Sequence, residues 1–61
     1  MCLSTVYSST DENQIIMEYV SRIDVDGENI TFMDVMGTEK TVCGTLDMVD
    51  LTGAVVKVHL R

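Results

Sequence analysis

Ile23-Asp24-Val25-Asp26-Gly27-Glu28-Asn29-Ile30-Thr31-Phe32 is the stretch whose reading decides the fold. Apolar and polar residues alternate on both sides of Asp26-Gly27, as they do in strands with one buried face. Asp-Gly is a dipeptide that enters the positive-φ conformations of a tight type I′ hairpin turn. The segment therefore reads as two antiparallel strands joined by a short loop.

The same rhythm extends in both directions. Upstream, Cys2–Ser8 alternates loosely, with Leu3, Thr5 and Tyr7 on one face and Cys2, Ser4 and Val6 on the other. Ser9–Asn13 is a polar connection. In 14–25, Ile15, Ile16, Tyr19, Val20 and Ile23 match helical spacing, but Ile, Val and Tyr favour strands. A strand with a kink or bulge near Ser21 and Arg22 is the better reading. Downstream, Gly37-Thr38 marks a second turn, and Glu39–Gly44 alternates again. Gly44 reads as a bulge or barrel corner. Leu46–Leu51 is a further short strand, Thr52-Gly53 is the last turn, and Ala54–Leu60 closes the chain. Its two faces are Val56, Val58 and Leu60 against Lys57, His59 and Arg61, either set facing inward. About six short strands, each bounded by a turn signal, predict an all-β fold: a small antiparallel barrel or orthogonal sandwich. An open sheet this small would leave two edges to manage, removed either by closing the sheet or by pairing across a dimer.

Composition bounds the function. The chain has 61 residues and no linker, repeat or low-complexity stretch, so one domain over 1–61 is expected. Ten acidic residues against four basic ones leave a net charge of −6. Phosphate binding needs clustered Lys and Arg, so nucleic acid is a poor partner, whereas a metal cation or a basic protein fits. Two cysteines are too few for a disulfide framework. No leader or membrane-spanning run is evident, and the expected location is the cytoplasm, with reduced thiols. No nucleophile–base pair, phosphate loop or conventional metal motif appears, so an enzyme is not expected.

The chemistry concentrates at Cys2. It directly follows Met1, and initiator methionine is generally removed before a small residue. The new terminus would carry a thiol and an α-amine on one residue, which are S and N donors suited to Ni(II), Cu(II) or Zn(II) rather than Mg²⁺ or Ca²⁺. One chain has too few sulfur donors for a closed zinc site. Two chains related by a two-fold axis can bring two Cys2 residues to one shared ion. Cys43 reads as a buried small hydrophobe in a strand. His59, the sole histidine, reads as solvated beside Lys57 and Arg61. Asp24, Asp26, Glu28 and Asp34 read as a solvated rim, and Met17, Met33, Met36 and Met48 as core filler.

The opening Met1-Cys2-Leu3-Ser4-Thr5-Val6-Tyr7 resembles the CooT family of nickel-binding accessory proteins for carbon monoxide dehydrogenase. Met17-Glu18-Tyr19-Val20, the Asp26-Gly27 turn, Val35-Met36-Gly37 with Glu39-Lys40, and Val49-Asp50-Leu51 agree along essentially all 61 residues. The resemblance implies a small β-rich homodimer that binds Ni(II) through Cys2 as the metal ligand. Delivery to a nickel enzyme is the expected role, and the shared ion expected from the two-fold argument would be one per dimer. The family has also carried a predicted RNA-binding label. A small-barrel RNA-binding protein is therefore the alternative, against which the acidic composition speaks.

Overall fold

The computed structural model describes residues 3–61, apart from the side chain of Glu12. Among the described residues five strands occur in chain order: β1 (Ser4–Ser8), β2 (Asp11–Asp26), β3 (Asn29–Asp34), β4 (Glu39–Asp50) and β5 (Val55–Leu60). They close into one barrel in the order β1-β2-β3-β4-β5. Successive strands are antiparallel, and β5 returns to β1 in parallel, Thr5 opposite Val55 through Ser8 opposite Val58. The barrel expectation holds, with two differences. There are five strands rather than about six, and the closing pair is parallel.

The strand count falls because β4 does not break at Gly44. Its first half, Glu39–Cys43, pairs with β3, and its second half, Gly44–Asp50, pairs with β5. Gly44 is the corner between them. A Cβ there would lie 2.2 Å from the His59 carbonyl oxygen, so only glycine allows β4 and β5 to approach this closely. Backbone bonds on both sides fix the corner: Gly44 N–H donates to Glu28 O at 2.8 Å, and Arg61 N–H to Cys43 O at 3.0 Å.

β2 bends in the same way, its first half pairing with β1 and its second with β3. The ladder slips between Val20 and Arg22, so the bulge lies at Ser21, as the composition implied. Against β1 there are further slips: Val6 faces Met17 while Ser4 faces Val20. Tyr19 sits in this second irregularity with φ +57°.

The β2–β3 hairpin pairs Asp26 with Asn29, so the two-residue loop is Gly27-Glu28, one position later than Asp26-Gly27. Gly27 has φ +60°, and Glu28 is not among the positive-φ residues. Positive φ at the first loop residue alone is the type II′ pattern, which asks for glycine there. The Val35–Thr38 turn is tied by Asp34, whose Oδ1 accepts from Met36 N–H at 2.9 Å and Thr38 N–H at 3.0 Å. Asp50 plays the same part for the last turn, accepting from Gly53 N–H at 2.9 Å.

The core is small. Val6, Ile30, Phe32, Val56 and Val58 are essentially inaccessible, Ile16 and Val20 nearly so, and Met17, Ile23, Val42 and Leu60 pack against them. Val56, Val58 and Leu60 are thus the inward face of β5. Ser8 is also fully buried, and its Oγ lies 3.0 Å from Thr10 Oγ1. Among the described residues no buried polar side-chain atom lacks a partner. Among the described residues no helix is long and apolar enough to cross a membrane.

Candidate functional site

Cys2, the residue on which the sequence reading placed the metal, lies outside the described residues. The structure does describe where the chain enters the barrel just after it. Ser4 pairs with Val20, beside the β2 bulge, and Thr5 N–H donates to Ala54 O at 3.0 Å. The entry point is therefore the barrel mouth between that bulge and the β4–β5 turn. A cleft of about 140 Å³ opens there, its walls including Ser4, Val20, Ile23, Val49, Leu51 and Val56. Val49 and Leu51 are exposed at its edge. Arg22, which also borders the cleft, is held by Asp24, with Nε 3.0 Å from Oδ2.

The other candidates are scattered. Cys43 is exposed, not buried as expected. It stands one residue before the Gly44 corner, opposite Asn29, and its thiol donates to Asn29 Oδ1 at 3.4 Å. The alternation of β4 was read correctly, but Val42 takes the inner face. His59 is exposed as expected, with Nδ1 3.4 Å from Ser9 Oγ and 3.9 Å from Asp47 Oδ2. Met17 and Met33 are half-buried, but Met36 and Met48 lie on the surface and are not core filler. Among the described residues no group of three or more His, Cys, Asp or Glu side chains converges as a metal cage would require.

Arg22 pairs with Asp24, and Arg61 with Glu28. Phe32 is buried, Tyr7 half-buried, and Tyr19 alone of the three aromatics stands exposed. Stacking platforms combine several exposed aromatics with a basic groove, and one exposed aromatic does not make such a platform.

Fold and entry point together define a small closed β-barrel whose first strand, β1, begins beside an apolar mouth. The family described as CO dehydrogenase accessory protein CooT matches residues 1–59, and the chain belongs to that family. Comparison with curated proteins gives no match. The family assigns an accessory role beside an enzyme.

Proposed function

We propose that this protein is a nickel carrier for CO dehydrogenase, a cytoplasmic homodimer that holds Ni(II) at Cys2. The observation that carries the reading is membership of a CO dehydrogenase accessory family over residues 1–59, with a cysteine at position 2. After loss of Met1 the Cys2 thiolate and α-amine provide the S and N donors that Ni(II) accepts. The ion is cargo, so its ligands must exchange. A chain-terminal chelate does this more readily than a buried cage, because one end of the ligand set is free to swing away.

Two copies complete the donor set, with one Ni(II) per dimer. The closed ring removes edge pairing as the reason to dimerise. The support for a dimer is instead the apolar mouth, where Val49 and Leu51 are exposed beside the entry of β1. The test is nickel titration of protein with a free N-terminus, by calorimetry and absorption, with mass spectrometry for Met1. Wild type should bind and Cys2→Ser should not. Equal affinity of the two proteins removes Cys2 as the ligand.

A further inference from the structure

Tyr19 occupies a position that its residue type disfavours. It lies inside a strand with φ +57°, at the irregularity between the Val6–Met17 and Ser4–Val20 pairs. Glycine is the residue of least cost there, because a Cβ crowds the following carbonyl. Nor does its side chain recover the cost in the core, because Tyr19 is 61% exposed. Backbone strain retained around an outward side chain marks a position held for contact with something else.

Two more exposed apolar residues stand beside it. Val35 N–H donates to Tyr19 O at 3.1 Å, bringing the Val35–Thr38 turn against the bulge. Val35 is 50% exposed and Met36 85%. That turn is not loose: Asp34 Oδ1 holds Met36 N–H and Thr38 N–H at once. An aromatic, a β-branched residue and a flexible thioether are thus presented together on a fixed backbone, the composition of an interface anchor.

Charge decides the occupant. The segments 18–20 and 34–40 that build the patch contain three acids, Glu18, Asp34 and Glu39, and one base, Lys40. A second copy applied here would set these carboxylates against their own counterparts across a two-fold axis, which is unfavourable. A basic surface with an apolar socket meets both the charge and the anchor. We infer that Tyr19, Val35 and Met36 form the docking surface for a basic, apolar-socketed face of the client enzyme. The inference rests on the accessory reading for the identity of that client.

The test is binding of purified CO dehydrogenase to tag-free protein, followed by biolayer interferometry at two salt concentrations. Nickel titration and sedimentation of each variant run in parallel. Tyr19→Gly removes the aromatic where glycine fits the backbone, and Met36→Lys reverses the preference for a basic partner. Each should weaken client binding at least tenfold without lowering the melting temperature, and with the nickel affinity and self-association unchanged. Wild-type binding should weaken as salt rises. Client binding within twofold of wild type for both variants overturns the docking surface and leaves the nickel reading standing. Loss of self-association instead makes the patch a contact between copies and overturns the assignment. Loss of nickel binding by Cys2→Ser alone, with no wild-type binding of the enzyme, overturns the surface and retains the metal site. Tyr19-dependent client binding with no nickel affinity in wild type overturns the cargo reading alone.

Discussion

Gly44→Ala probes the corner on which the barrel closes. The new Cβ meets the His59 carbonyl oxygen at 2.2 Å, the His59 carbonyl carbon at 3.1 Å and Leu60 Cα at 3.2 Å. All three are backbone atoms, so no side chain can rotate away. β4 and β5 must part by most of an ångström at the point where Gly44 N–H and Arg61 N–H make their bonds. Overpacking costs about 1–3 kcal/mol, and weakening one or both bonds adds about 1 kcal/mol. The expected loss is therefore about 2–4 kcal/mol, against a total stability of about 3–9 kcal/mol for a chain of this size. For small domains each kcal/mol moves the melting temperature by about 4–8 °C. Circular dichroism should show melting lowered by at least about 8 °C, or no cooperative fold. A variant melting within about 3 °C of wild type would refute the close approach of the two strands, and with it the bent β4.

Phe32→Ala should cost about 3–5 kcal/mol, enough to unfold much of the population at 37 °C, as read by the loss of dispersed amide resonances. Cys43→Ser should leave stability within about 0.5 kcal/mol in urea titration, because the residue is exposed and serine keeps a donor for Asn29. Nickel affinity should fall steeply from about pH 8 to pH 6. Binding displaces protons from a thiol and an amine with reference pKa values of about 8.5 and about 7.7–8.0, so protonation competes as pH drops. An affinity flat over that range points to carboxylate ligands such as Asp24, Asp26 or Glu28. Sedimentation should give a dimer at micromolar concentration, whereas a strict monomer with and without nickel removes the shared two-chain site.

The hairpin around Asp26-Gly27 was legible because turn residue and alternation agree locally, even though the loop proper begins at Gly27. The inward face of β5 left two choices, and packing of Val56 and Val58 decides between them. β2 was ambiguous for a physical reason. Each bulge shifts the phase of alternation by a residue, so Ile16, Met17 and Val20 can all face inward at a spacing that imitates a helix. Gly44 could be recognised as a corner, but not that the strand continues through it, since continuity depends on β3 and β5 lying on either side. The parallel β1–β5 closure carries no local signal, because the partners lie at opposite ends of the chain. The conformation of Tyr19 was invisible, since tyrosine does not advertise positive φ. The chemistry proposed for Cys2 came from residue type and position, and the described geometry adds only the mouth beside which β1 begins.

Whether Cys2 carries the nickel is decided by isothermal titration of Ni(II) into wild-type and Cys2→Ser protein, both freed of any N-terminal tag and confirmed by mass to have lost Met1. One ion per two wild-type chains, with no measurable heat for the serine variant, is the predicted result. Equal binding by the two proteins would contradict it.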